Sequence, residues 1–195
     1  MNILPQDFYE RDTATVAHGL LGKVLCVRND DGEILRSRIV EVEAYLGVED
    51  PACHTFNDRR TERTKSMYLH GGHSYVYLIY GMYHCLNVVT RTEEHPEAIL
   101  IRAVEPLPHH QPPLKKKDMK TNGPGKLCKF YDITKKDDGL RLWKKSSDLY
   151  IVEDSFEVLE KQIHACPRIG VDYAGEAARW PLRFYLKDNP YISRK

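Results

Sequence analysis

Ile39-Val40-Glu41-Val42-Glu43-Ala44-Tyr45-Leu46-Gly47, continued through Glu49, Asp50 and His54, decides how this chain is read. Side chains alternate across an extended strand, so Val40, Val42 and Ala44 face one way and Glu41, Glu43 and Tyr45 the other. The apolar set suits a core. Two carboxylates and a phenol on the opposite face suit either open water, as on a half-exposed strand, or a polar pocket. In a pocket, Glu43 beside Tyr45 has the chemistry of a general base for water.

Local signals extend outward from this strand. Upstream, Asp12 predicts the N-cap of a helix over 13–21, stopped by Gly22. Residues 24–27 read as a strand, Asn29-Asp30-Asp31-Gly32 as a turn, and a second strand runs over 33–46. Downstream, residues 47–65 are polar and irregular, and Gly71-Gly72 breaks the chain. Residues 74–80 and 83–90 predict a hairpin around Gly81-Met82, and 98–104 a further strand closed by Pro106. Residues 109–122, with prolines and lysines, predict an exposed loop. Pro124 suits the first position of a helix over 124–131, and the tail holds a strand over 149–153 and then the segment 167–186. Short strands in the middle with helices at the ends predict an α+β fold, one mixed domain over 1–195 around a curved antiparallel sheet.

Composition narrows the classes. A chain of 195 residues, 42% hydrophobic and 29% charged, fits one globular domain, or two small ones, with a real core. Cys26, Cys53, Cys85, Cys128 and Cys166 are odd in number and form no CxxC pair, which predicts reduced thiols in a cytosolic compartment. The first residues carry no secretory apolar segment, and no apolar run approaches a membrane span. A net charge of +1 does not advertise nucleic-acid binding. The charge is uneven, however. Arg59, Arg60, Arg63 and Lys65 lie close together, as do Lys115, Lys116, Lys117 and Lys120, and each cluster reads as a solvated face or as a local basic rim.

The chemistry-bearing residues follow. The nine histidines form no HExxH, and His70-Gly71-Gly72-His73 is better explained as a glycine turn, so no metal site is expected. There is no GxGxxG, P-loop or GxSxG. In Tyr75-Val76-Tyr77-Leu78-Ile79-Tyr80-Gly81-Met82-Tyr83, strand aromatics such as Tyr75 and Tyr77 suit core packing. Tyr80 at the hairpin tip, with Met82 and Tyr83 beside it, suits poor core or a wedge that opens a duplex. Asn87 shares a face with Cys85 and Val89 and needs a partner if buried. Arg102, inside an apolar run, needs a carboxylate, for which Glu43 is the candidate.

Taken together, these residues resemble the alkyladenine (3-methyladenine) DNA glycosylase family. The matching pieces are Arg38 to Gly47 with His54, Tyr75 to Tyr83 with Asn87, Leu100-Ile101-Arg102-Ala103-Val104-Glu105-Pro106, Gly123-Pro124-Gly125-Lys126-Leu127-Cys128, and Arg168-Ile169-Gly170-Val171 with Ala174-Gly175-Glu176 and Pro181-Leu182-Arg183-Phe184-Tyr185. They occur in the family's order and cover nearly the whole chain.

The resemblance implies a curved antiparallel sheet with a protruding, DNA-intercalating hairpin. It implies base-excision repair: hydrolysis of the N-glycosidic bond of alkylated or deaminated purines flipped out of double-stranded DNA. It places the general base at Glu43 and water-positioning groups at Arg102 and the main-chain carbonyl of Ile169. Tyr45, His54 and Tyr77 would wall the base pocket, and Asn87 would act as a steric gate against guanine. Tyr80, with Met82 and Tyr83, would enter the stack, and Arg59, Arg63, Lys65 and Lys126 would lie near phosphates. A monofunctional, monomeric enzyme of the cytoplasm or nucleus is implied, with no metal and no organic cofactor. His84, Cys53 and Val48 depart from the family's pattern, which bears on pocket fit. Two rivals remain: a non-catalytic nucleic-acid-binding domain, which would not need Glu43 with Arg102, and a metal-dependent hydrolase built on His54, His70 and His73.

Overall fold

The computed structural model describes residues 1–108 and 120–194. Among the described residues nine strands form the sheet: β1 (Asn2–Ile3), β2 (Val24–Arg28), β3 (Ile34–Tyr45), β4 (Ser74–Ile79), β5 (Tyr83–Thr90), β6 (Glu97–Pro106), β7 (Leu149–Glu153), β8 (Ile163–Cys166) and β9 (Arg183–Leu186). Their order is β1-β7-β2-β3-β6-β5-β4, with β9 also on β3 and β8 on β9. All pairs are antiparallel. The helices are α1 (Gln6–Tyr9), α2 (Thr13–Leu20) and α3 (Pro124–Tyr131). This is the α+β architecture on a curled antiparallel sheet that the sequence predicts.

β3 organises the sheet because it is long enough to hold two partners on one edge. Its first half pairs with β2 and residues 41–43 pair with β9, while β6 runs along the other edge. The β6 ladder matches Ile39 with Val104, Glu41 with Ala103 and Val42 with Ile101, so Val40 and Arg102 have no opposite number. Such irregularities bend a strand and re-aim side chains. Glu41 and Glu43 both lie close to this one.

The alternation holds. Val40, Val42 and Ala44 are buried with Ile99, Ile101 and Val104, under Val16 and Leu20 of α2 and Leu127 of α3. Each large apolar side chain so buried contributes about 1.5–3 kcal/mol. Local chemistry fixes the helix ends. Asp12 Oδ1 accepts from the Thr15 amide at 2.9 Å, and Gly22 turns the chain away at a φ of +82°. Pro124 opens α3 and Asp132, at a φ of +55°, closes it.

Three expectations are corrected. The hairpin turns on Tyr80 and Gly81, at φ values of +53° and +70°, one residue earlier than Gly81-Met82. The Met82 amide donates to the Ile79 carbonyl at 3.2 Å, closing a mirror-image turn that matches strand twist. The C-terminal end carries β8, β9 and a 3₁₀ segment (Asp172–Arg179) where helices are expected, because β3 needs a second edge partner. Of the expected loop over 109–122, residues 109–119, with Lys115, Lys116 and Lys117, lie outside the described residues. Thr121, by contrast, is buried and donates to the Val104 carbonyl, and Asn122 bridges to Ala103. Among the described residues no helix is long and apolar enough to cross a membrane.

Candidate active site

The polar face of β3 is not open to water. Glu41 and Glu43 have no exposed surface, so the polar-pocket alternative holds. Above them is a cavity of about 380 Å³ lined by Tyr45, His54, Tyr75, Tyr77, Asn87, Arg102 and Ile169, among others. Glu43 itself stands just behind that lining. Its Oε2 accepts from Tyr45 OH at 2.9 Å and from Arg102 Nη1 at 3.1 Å. Its Oε1 accepts from the Ile169 amide at 2.7 Å. A carboxylate offers about four lone-pair sites, so these three bonds leave one acceptor site on Oε1. Beside Glu43 Ile169 therefore contributes an N–H donor, whereas the resemblance points to its carbonyl.

Arg102 is shared. Its Nε reaches Glu41 Oε1 at 3.1 Å, and its Nη2 donates to Ser193 Oγ at 3.3 Å. Arg183 Nε, on β9, reaches the same Glu41 oxygen at 2.8 Å. Ser193 completes the shell, donating its amide to Glu41 Oε2 and its hydroxyl to Glu41 Oε1 at 2.8 Å. Two guanidinium groups thus face two carboxylates, and the buried charges balance. A second buried pair braces Tyr45. Arg168 grips Asp50 through both terminal nitrogens, donates to the Ala44 carbonyl at 3.0 Å, and lies 4.8 Å from the Tyr45 ring centre. Burial, with Glu43 close by, holds the Tyr45 hydroxyl well above its ordinary pKa, so it stays a donor.

The aromatic wall comes from β4 and from the irregular segment after β3. His54 Nδ1 lies 3.0 Å from Tyr75 OH. Its ring meets Tyr77 edge to face, with centres 4.7 Å apart and planes at 81°, so the two form a corner rather than parallel plates. Burial first, then the charges of Arg63 and Arg59, push the His54 pKa down to about 4, which leaves the imidazole neutral near pH 7. Asn87 is buried, and the partner it then needs is main chain: Nδ2 donates to the Tyr75 carbonyl at 3.0 Å.

The other expected residues lie on the hairpin tip, on the segment after β3 and at the start of α3. Tyr80 is 84% exposed and Met82 67%, and Tyr83, also exposed, lies against Gly125 at the start of α3. Arg63 stacks on Tyr77, 4.7 Å from its centre, and Arg59 and Arg63 line a second cavity of about 300 Å³. Lys65 pairs with Glu62 at 3.0 Å, and Lys126 reaches Asn122 Oδ1 at 3.3 Å. His54, His70 and His73 form no ligand set: His70 sits between Glu10 and Glu93, and His73 places its Nδ1 2.8 Å from the His70 carbonyl and packs on Trp143. Among the described residues no group of three or more histidine, cysteine or acidic side chains could hold a metal ion.

The sequence reading missed Glu41, Asp50, Arg168, Arg183 and Ser193. Glu41 had a signal, since it shares the Glu43 face of β3. The pairings of the rest had none: Arg168 lies 118 residues from Asp50, and Arg183 and Ser193 lie 142 and 152 from Glu41. Tyr173 was missed as well. It lines both cavities and donates its hydroxyl to the Ala52 carbonyl at 3.1 Å.

A curled antiparallel sheet carrying a projecting hairpin over an aromatic cavity and a buried carboxylate narrows the class to a mixed α/β enzyme frame. Comparison with known proteins then supplies the family. A profile described as Methylpurine-DNA glycosylase (MPG) matches residues 7–190. A protein of Bdellovibrio bacteriovorus is 70% identical over 193 residues, covering 99% of this chain and all of its own length. One from Clostridium botulinum is 49% identical over 207 residues, covering 99% of this chain and all of its own, and one from Methanocella arvoryzae 47% over 201, covering all of this chain and 98% of its own. All three are named as 3-methyladenine DNA glycosylases. The chain belongs to the methylpurine-DNA glycosylase family.

Proposed function

We propose that this protein is a monofunctional, monomeric base-excision-repair glycosylase. It acts in the DNA-containing compartment of the cytoplasm on alkylated or deaminated purines in duplex DNA, 3-methyladenine, 7-methylguanine, hypoxanthine and ethenoadenine among them. The observation that carries this reading is the carboxylate of Glu43, held by Arg102, Tyr45 and the Ile169 amide just behind the wall of an aromatic cavity.

The chemistry follows from that arrangement. A flipped purine enters the cavity beside Tyr45, Tyr77 and His54, and flipping costs least for damaged pairs. Asn87, held rigid by the Tyr75 carbonyl, crowds the exocyclic amino group of guanine. Tyr80, with Met82 and Tyr83, fills the vacated stack. Arg59, Lys65 and Lys126 meet backbone phosphates, while Arg63 stays beside them against Tyr77. Water reaches Glu43 through the remaining acceptor site on Oε1. Glu43 takes a proton as the water oxygen bonds to the sugar C1′, and the C1′–N bond breaks toward the base. Arg102 pairs with Glu43 at 3.1 Å and holds its carboxylate in place.

A panel of single-lesion duplexes tests this. Release of at least one damaged purine, with the strand uncut until alkali is added, is the expected result. Retained duplex binding with no base released from any lesion would favour the non-catalytic nucleic-acid-binding reading.

A further inference from the structure

We propose that the Arg63 guanidinium stacked behind Tyr77 tunes this cavity toward damaged purines that carry no charge, such as hypoxanthine, over cationic ones such as 7-methylguanine. The inference rests on the glycosylase reading and names the substrate class of that same site.

Three observations carry it. Arg63 Cζ lies 4.7 Å from the Tyr77 ring centre, and Nη2 lies 3.4 Å from His54 Nε2. Tyr77 and His54 line the base cavity and Arg63 does not; it opens instead on the neighbouring cavity that it shares with Arg59. The guanidinium therefore backs the wall rather than contacting the base. Most decisive is its lack of a counter-ion: among the described residues no carboxylate pairs with Arg63. The arginines on the far side of the cavity differ. Arg102 faces Glu41 and Glu43, Arg183 faces Glu41, and Arg168, which backs Tyr45, is gripped by Asp50. Tyr45 is thus backed by a neutral pair and Tyr77 by a bare charge.

A tyrosine ring attracts a cation through its electron-rich faces. One cation already seated on a face leaves the opposite face less attractive to a second, and the two cations also repel through the ring. The neutral His54 beside it adds no compensating charge.

The charge on the base changes during reaction. As the C1′–N bond breaks, its electron pair moves onto the purine. Hypoxanthine goes from neutral toward anionic, and 7-methylguanine from cationic toward neutral. In the transition state the first carries partial negative charge and the second a residue of positive charge. A positive wall stabilises the first and destabilises the second, both measured from free enzyme and duplex, so the effect falls on kcat/KM.

The experiment compares hypoxanthine opposite thymine with 7-methylguanine opposite cytosine in one sequence context, using single-turnover kcat/KM for wild type, Arg63→Gln and Arg63→Lys. Arg63→Gln is expected to lower the hypoxanthine/7-methylguanine ratio by about two- to fivefold, the range of a cation–π contact at a partly exposed site. Arg63→Lys, which keeps the charge, is expected to restore most of the ratio. A ratio unchanged in Arg63→Gln overturns the inference, and so does equal loss on both lesions, which is the signature of a phosphate contact. An Arg63→Lys ratio matching that of Arg63→Gln overturns it as well. Wild-type protein that releases neither base would instead remove the glycosylase reading on which the inference stands.

Discussion

The floor and the hairpin of the cavity are built in opposite ways. In the floor every buried charge has a partner: Glu41 with Arg102 and Arg183, Glu43 with Arg102, Asp50 with Arg168. The hairpin of β4 and β5 has no such network at its tip. It exposes Leu78, Tyr80, Met82 and Tyr83, and holds Tyr80 at a φ of +53°, a left-handed conformation that costs a non-glycine residue about 1–2 kcal/mol. The floor is rigid, because removing one member strands another charge out of water. The tip is expendable to the fold, because little of it is packed. On the proposed mechanism both kinds of construction are needed, one to hold a reacting carboxylate still and the other to pry open a duplex.

The comparison breaks most severely at Glu43. Glu43→Gln should keep binding to lesion-bearing duplex and lose base release by about 10²–10⁴-fold, the usual size of a general-base effect. Electrophoretic binding beside single-turnover excision measures both. Excision by Glu43→Gln near the wild-type rate would make the floor scaffolding and move the base elsewhere.

The next contrast is one of stability. Arg168→Leu leaves Asp50 buried and unpaired, and breaking such a pair costs about 3–5 kcal/mol. In a chain of this size that lowers Tm by about 6–20 °C. Tyr80→Ala should move Tm by no more than about 2 °C, since an exposed residue away from packing changes stability within about 0.5 kcal/mol. Its cost should appear in excision, more on stably paired lesions than on mismatched ones, which are cheaper to flip. A large Tm loss in Tyr80→Ala, with equal kinetic loss on both substrates, would make Tyr80 a core residue and erase the distinction.

The same contrast explains what the sequence disclosed. The hairpin was readable because its signals are local: alternating apolar residues, Gly81, and aromatics where core is scarce. The turn was misplaced by one residue because a tyrosine rarely occupies a left-handed position. The helices were readable from Asp12, Gly22 and Pro124. The floor was half readable. Arg102 in an apolar run demanded a carboxylate, and Glu43 was on hand. The other partners of Glu41 were invisible: β9 is only four residues long, and Ser193 lies 152 positions away. No propensity or spacing marks a contact that only the closing of the sheet creates. Asp50 and Arg168, 118 apart, were hidden for the same reason.

The smallest expected effect sharpens the comparison at His54, where the wall meets the mouth. Burial, then Arg63 and Arg59, lower its pKa from 6.5 to about 4 in the folded protein. The unfolded chain takes up a proton near 6.5, and the folded chain does not until about 4. The unfolded state therefore binds more protons across that window, and stability rises with pH there. Stability is fully present above pH 6.5 and is lost as pH falls toward 4, by on the order of 1–2 kcal/mol once partial exposure of the ring is allowed for. Other groups titrate nearby, His73 with the same sign and Asp137 with the opposite one, so the quantity to measure is a difference. Urea midpoints of wild type and His54→Gln, taken at pH 7.5, 6 and about 5, should converge as the solution is acidified. Arg63→Gln, which removes one of the charges opposing protonation, should show a shallower acid loss than wild type. Parallel wild-type and His54→Gln profiles would mean that His54 titrates normally in the folded state, and the wall would then carry a second positive charge at mildly acid pH.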